Sequence, residues 1–529
     1  MTTSTPLVFS AFAAVIALPL SHGAPVLHNI ELTPIGTYAS GVLSQSAAEI
    51  VAHDAATQRL FVVNAQAATV DVLDITNPAA PFKVGEIHLS LFGGVANSVA
   101  VRDGLIAVAV ESFDKTNPGQ VVFFNQNLDL LAQVMVGALP DMLTFSPNGR
   151  WLLVANEGEP NSYNNVSVPS VDPEGSVSII DLSGGAAFLT QANVRSAGFT
   201  DFIGALLDPS IRIFGPNATV AQDLEPEYIT ISLDSKTAWV TLQENNALAV
   251  IDIESATVSD LIGLGFKDHN LPGNALDASD RDSAINIRNW PLQGMYLPDA
   301  IDAYQFGGET FLVMANEGDA RDWPGFAEEV RIADLALDPI AFPNGAVLKQ
   351  AANLGRLRVT RAQGDIDADG DHDVLHSFGG RSFTIRDTQG NLVFDSGDQL
   401  ERITAAVLPN FFNASNDNNT KDSRSPSKGP EPEGLAIGRA YGRTYAFVGL
   451  ERVGGIASYD ITDPHNPFFA DYVNNRDFLA AINSGLAGDL GPEGLLFIKE
   501  ENSPTGTPLL VVGNEVSGTT TIFAIQKTR

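Results

Sequence analysis

One recurring phrase constrains this chain more than any other feature. Its fullest copy runs from Gly429 to Ile461: GPEPEGLAIGRAYGRTYAFVGLERVGGIASYDI. A carboxylate follows a proline (Pro432, Glu433), an apolar run follows, and after a turn a second run closes on Glu451. A third, alternating run then ends in Asp-Ile. Pro492-Glu493 opens another copy, whose second run LLVVGNE closes on Glu515. Pro140-Asp141 leads to WLLVANE and Glu157, Pro226-Glu227 to AWVTLQE and Glu244, and Pro298-Asp299 to FLVMANE and Glu317, with EVRIADL as the third run of that copy. Two worn copies come first, one from Glu49 through RLFVVNA, the other from Ser98 through LIAVAVE to Glu111.

Each copy holds three short β-rich runs separated by Gly, Asn, Asp and Pro turns. A fourth run fits after most copies: PFKVGEIHL, LDLLAQVMV, TVSDLIGLG and PFFADYV. Four strands repeated at a fixed period predict an all-β fold, a β-propeller, whose closed ring protects its strand edges. Seven copies predict seven blades. The last copy ends without a fourth strand, and Ile30 to Tyr38 (IELTPIGTY) precedes the first copy without a blade. The early segment is therefore predicted to supply the missing strand and close the ring.

Residues 1–23 read as a signal peptide: an apolar run from Leu7 to Leu20, then Ser21-His22-Gly23 with cleavage expected after Gly23. The run is too short to span a bilayer, and no later stretch could do so. The expectation is a secreted or periplasmic protein with no anchor. Residues 24–529 form the propeller, with insertions at about 183–223, 266–297 and 335–428. In the last of these, NASNDNNTKDSRSPSKGP reads as a flexible loop. The formal charge of −33, from 63 acids against 30 bases, excludes nucleic acid as a partner, because phosphate binding needs clustered Lys and Arg. Cations become plausible partners instead. No Gly-x-Ser-x-Gly elbow, His-Glu-x-x-His pair or Cys is present.

Three groups of residues carry candidate chemistry. The repeated acids share one register: each begins a first strand or ends a second, and those ends open on one face of a propeller. Asp141, Glu157, Glu227, Glu244, Asp299, Glu317, Glu433, Glu451, Glu493 and Glu515 are thus expected around the channel mouth, where so many carboxylates need a cation or bases to offset their repulsion. Alternatively, each acid caps its own blade's backbone. The second group is Asp365, Asp367, Asp369, Asp371 and Asp373, with Gly370 at the sixth position, in the manner of an EF-hand calcium loop. His376 stands where the bidentate Glu belongs, so Asp373, Asp395, Asp398 or Glu401 must supply that oxygen. The third group sets acids beside Arg. Glu317, Arg321, Glu451, Arg452, Asp280 and Arg281 are the catalytic candidates for a phosphate ester, with a metal to polarise it and Arg to hold its free oxygens. Interblade salt bridges are the plainer reading of the same residues.

Long phrases of this sequence resemble the choice-of-anchor I family. They include LPDMLTFSPNGRWLLVANEGEP, DPEGSVSIIDL, GNALDASDRD, INIRNWP, ANEGDARD, SFGGRSF, FDSG, ERIT, GPEPEGLAIG, GLERVGG and LLVVGNEVSGTTTI. The resemblance spans roughly Ile30 to Ile525. It implies a YVTN/WD40-like propeller without haem, in a family of bacterial secreted proteins similar to the mesenchyme-specific cell-surface glycoprotein linked to biomineralisation. Some members carry an alkaline-phosphatase label. The expected function is a secreted, calcium-binding propeller with an extracellular binding, surface or mineral-associated role, other divalent metals being admissible ligands. The alternative is a metal-dependent phosphomonoesterase at the acidic mouth, acting on phosphate esters.

Overall fold

The second run of each copy is apolar at nearly every position, as expected of a strand covered on both faces rather than one. In the computed structural model, which describes residues 30–164, 167 and 169–528, these runs are buried middle strands: Trp151–Asn156 and Leu509–Asn514 are buried at every residue. The residues read as a signal peptide lie outside the described ones.

Among the described residues, seven four-stranded antiparallel sheets follow one another along the chain. Their first strands are Val51–Asp54, Ala96–Arg102, Pro140–Phe145, Pro226–Ile231, Ile301–Phe306, Pro432–Ala440 and Pro492–Ile498. Each first strand touches the next, and the seventh returns to the first. A separate apolar cluster fills every interface between neighbouring sheets, the one between the seventh and the first included. The fold is an all-β propeller. Outer strands such as Phe82–His88 are largely exposed.

Closure follows the expected route. Ile30–Ala39 pairs antiparallel with Thr519–Lys527, with Leu32 opposite Ile525. The first residues of the described chain thus complete the sheet formed by the last and cover the edge that Thr519–Lys527 would otherwise expose. The Leu32 backbone N–H also donates to Asp471 Oδ2 of the sixth sheet at 2.8 Å.

The insertions differ from their sequence reading in three ways. Residues 183–223 contain the outer strand of the third sheet, Val194–Gly198. In the fifth copy, the run EVRIADL does not supply the third strand. Phe383–Asp387 does, followed by Leu392–Asp395, while Glu329–Arg331 joins an accessory sheet. That five-stranded sheet runs Phe266–Asp268, Gln293–Met295, His376–Ser377, Arg358–Thr360, Glu329–Arg331, so the second and third insertions fold together. Leu276, Trp290, Ile332, Leu354, Leu357 and Leu375 give it a core of its own. Finally, the stretch expected to be a flexible loop is fixed in place. Arg381 donates to the Ser425 and Ser427 carbonyls at 2.7 and 2.8 Å, and Lys428 is buried. A polar sequence can pack when its backbone groups find such partners.

Candidate functional site

The repeated Pro-acid pair is placed by local backbone geometry. In the third, fourth, sixth and seventh sheets a β-bulge follows the proline directly, at Pro140/Leu143, Pro226/Ile229, Pro432/Leu435 and Pro492/Leu495. A bulge re-aims the side chains it carries. Here it carries Asp141, Glu227, Glu433 and Glu493. The residue before the proline takes a left-handed conformation in several copies, with φ of 47° at Leu139, 46° at Leu297 and 51° at Glu431. Neighbouring first strands come so close at the axis that a Cβ on Gly434 would sit 1.9 Å from the Glu493 carbonyl oxygen.

Those strand starts enclose an axial cavity of about 40 Å³, lined by Ile50, Asn97, Asp141, Met142, Tyr228, Asp299, Ala300, Gly434 and Glu493, which lie at or just before the first strands of all seven sheets. The space fits an ion or a water or two. The acids that close the second strands crowd the same end. Glu49, Glu493 and Glu515 bring carboxylate oxygens within 4.8 Å of one another, as do Asp299, Glu317 and Glu433, and Glu317, Glu431 and Glu451.

Burial is the main force on these acids. It pushes Asp141 up to about 7, against an ordinary value near 4, with Glu159 adding repulsion. It takes Glu244 to about 8 despite the opposing pull of Arg321. Glu227, Asp299, Glu433 and Glu493 rise well above the carboxylate range, again through burial first and neighbouring acids second, and Glu451 rises through burial despite the opposing pull of Arg452. Glu157 and Glu515 rise for the same first reason. Glu244, Glu433 and Glu451 each bury one oxygen, Oε2, with no hydrogen-bond partner.

Bases offset part of this charge. Lys428 Nζ lies 2.7 Å from Glu317 Oε1 and 3.4 Å from both Asp319 Oδ1 and Glu431 Oε2. Arg452 reaches Glu431 Oε2 and Glu451 Oε1, both at 2.8 Å. Gln243 Nε2 donates to Glu317 Oε2 at 2.7 Å and Asn416 Nδ2 to Glu451 Oε1 at 3.0 Å.

The six catalytic candidates therefore separate. Glu317, Glu451 and Arg452 meet at the mouth. Arg321 is fully buried in an ion pair with Asp223 and, at 2.9 Å, with Glu225, which spends its guanidinium inside the protein. Asp280 and Arg281 belong to the accessory unit, where Asp280 binds Arg356 and exposed Arg281 lies 3.6 Å away. Sequence reading passed over Lys428, Glu225 and Glu431. The doubled acid Glu-Pro-Glu at Glu225 and Glu431 was the available signal, because only the second Glu fits the repeat.

The aspartate loop joins Arg358–Thr360 to His376–Ser377 of the accessory sheet. Asp365, Asp367 and Asp373 present oxygens within 4.8 Å of one another, and Asp338, Asp371 and Asp373 form a second such group. Asp373 stands in this group where the first, third and fifth positions of a calcium loop call for Asp369; all three of Asp365, Asp369 and Asp373 accept backbone N–H bonds within the loop, from Gly370, Asp371 and Ile366. Asp395, Asp398 and Glu401 are engaged elsewhere, by Lys267, Arg402 and Arg381. Asp369 repels Asp367 strongly enough to raise its pKa in full solvent. Asp338 lies outside the motif and is invisible to it.

A family model for the choice-of-anchor I domain matches residues 49–464. Gigasin-3a from Magallana gigas is 35% identical over 191 residues, which cover 34% of this chain and 67% of that protein. The mesenchyme-specific cell surface glycoprotein of Strongylocentrotus purpuratus is 32% identical over 295 residues, covering 49% of this chain but only 37% of that protein. Among solved structures, the WD40 domain of Toxoplasma gondii coronin overlays with a TM-score of 0.45 at 9% identity, covering 96% of this chain and 88% of that one. An overlay of that quality carries no functional argument.

Proposed function

The chain belongs to the choice-of-anchor I domain family, and on that premise we propose that it is an extracellular calcium-binding β-propeller with a cell-surface or mineral-associated role. One observation carries the calcium reading: Asp365, Asp367 and Asp373 converge to within 4.8 Å on a loop that is exposed and whose acids repel one another. Oxygen-only donors on an exposed loop suit a large hard cation, and calcium above all. The cell-surface role is supported by the name of the sea-urchin relative, of which this chain spans a little over a third.

Calcium on this loop would tie the accessory unit together, since Asp373 and Asp338 come from segments paired through the Asp338 N–H and the His372 carbonyl at 3.0 Å. Replacing Asp367 with Ala should weaken calcium binding about tenfold or more, as loss of a metal contact does. Isothermal calorimetry on EDTA-stripped protein reads this directly. Equal uptake by wild type and variant would remove the loop as the site.

The phosphomonoesterase alternative keeps Glu317, Glu451 and Arg452 in one place. Its weakness is the arginines: Arg321 is occupied by Asp223 and Glu225, and Arg452 by Glu431 and Glu451.

A further inference from the structure

The mouth is not uniformly compensated. Between the fifth and sixth sheets, six carboxylates (Asp299, Glu317, Asp319, Glu431, Glu433, Glu451) gather with three bases, Lys428, Arg424 and Arg452. The bases are unevenly spent. Lys428 has three N–H donors and three carboxylates within 3.4 Å, namely Glu317, Asp319 and Glu431. Arg424 and Arg452 also turn to Glu431. Among the described residues, no base lies within 4.0 Å of Asp299 or Glu433. These two nonetheless hold oxygens within 4.8 Å of each other and of Glu317.

A second observation concerns Glu433 of this group and Glu451 of the group Glu317, Glu431, Glu451, which shares Glu317 with it. Glu451, only 4% exposed, keeps its Oε2 buried and without a hydrogen-bond partner, and the Glu433 Oε2 is buried and unpartnered as well. A buried carboxylate oxygen with nothing to accept from is costly, so a native fold keeps one only for a reason.

We propose that Asp299, Glu317 and Glu433 hold a divalent cation across the interface of the fifth and sixth sheets, with Glu451 offering a further oxygen. The donors are all carboxylates, with neither His nor Cys among the three, which selects a hard cation of the calcium or magnesium class over zinc or copper. The site is separate from the Asp365–Asp373 loop. Asp299 and Glu317 come from the start and end of the first two strands of one sheet, Glu433 and Glu451 from the same positions of the next. Such an ion would add a staple to two sheets that otherwise meet through apolar packing and the hydrogen bond from the Ile437 N–H to Asp302 Oδ2 at 3.2 Å.

The test compares EDTA-stripped wild type, Glu433→Gln and Asp367→Ala by calorimetry with calcium chloride, then magnesium chloride, alongside thermal unfolding. Asp367→Ala breaks the Asp365, Asp367, Asp373 group and leaves the mouth and the Asp338, Asp371, Asp373 group intact, so Glu433→Gln decides which of them binds. The Asp367→Ala protein is expected to retain metal binding and a metal-dependent rise in Tm. Glu433→Gln is expected to lose one bound ion per chain, or about tenfold in its affinity, and the associated Tm rise, while the loop still binds. Glu433→Gln removes charge from a crowded cluster, so its metal-free Tm should equal or exceed that of wild type. Should it fail to fold, half-buried Asp299→Asn serves the same purpose. The proposal is overturned if Asp367→Ala binds neither metal, which would mean that protons neutralise the mouth, or if Glu433→Gln matches wild type in stoichiometry and affinity. The loop proposal fails on a different result, unchanged binding by Asp367→Ala, so the two failures are distinguishable.

Discussion

Glu431 and Glu433 stand two residues apart and meet opposite fields. Burial works against the charge of both. At Glu431 it is overcome by Lys428, Arg424 and Arg452, which hold the carboxyl down at about 2. At Glu433 it is reinforced by Glu451 and Glu317, which leaves the group well above the carboxylate range. Position within a few ångströms, not residue type, decides which acid is a structural anion and which is open to a ligand. The raised acids have a measurable consequence. Glu49 and Glu244 reach about 8 and Asp141 about 7, in each case chiefly through burial. A carboxyl whose folded pKa exceeds its unfolded one binds more protons when folded, so its contribution to stability shrinks as pH climbs through that window. Glu431 has the opposite sign, but its contribution changes only below about pH 4. The metal-free protein should therefore melt at a lower temperature at pH 8 than at pH 6, and Glu244→Gln should flatten part of that slope. Calorimetric melting in EDTA across this range checks it, and a Tm that is level or rises with pH contradicts it.

At the scale of elements, the ring depends on a strand drawn from far away in sequence. Leu32 is 3% exposed and packs with Phe447, Leu510 and Ile525, joining the closing strand to both the sixth and seventh sheets. Leu32→Ala should cost about 2–5 kcal/mol through lost burial and the cavity left behind. The chemical-denaturation midpoint should fall accordingly with an unchanged slope, and a midpoint equal to wild type would mean that the strand does not hold the seam. This closure was legible in the sequence because an orphan strand before the first copy and a missing strand after the last leave one pairing open. The middle strands were legible because burial on both faces demands near-continuous apolar residues. The fifth sheet was misread for the same kind of reason. EVRIADL has the local pattern of a third strand, and so does SFTIRD, and only long-range pairing chooses between them. The mouth acids could be read from their register. Lys428 could not, because its place at Glu317 depends on a polar segment held by Arg381, a contact with no period in the sequence.

For the whole molecule, charge decides which ligands can approach. The chain carries −33 formally, and the axial end of the propeller adds a concentrated set of acids to that background. Such a field attracts cations and repels a phosphate ester, whose dianion must be met by metals and free arginines before it can settle. Arg321, the most deeply buried of the arginines considered, is held by Asp223 and Glu225, and the Lys428 ammonium is shared by three carboxylates. A cation could enter this mouth unaided. A phosphomonoester would need at least two ions already bound and an arginine freed from a buried pair, and breaking one such pair costs about 3–5 kcal/mol. The expected outcome is that EDTA-stripped protein, resupplied in turn with calcium, magnesium, manganese or zinc, leaves a chromogenic phosphomonoester intact while still taking up calcium. Metal-dependent turnover that disappears in both Glu317→Gln and Glu451→Gln would reverse this conclusion. It would show that the mouth, once loaded with metal, inverts its own field and becomes a site for anions.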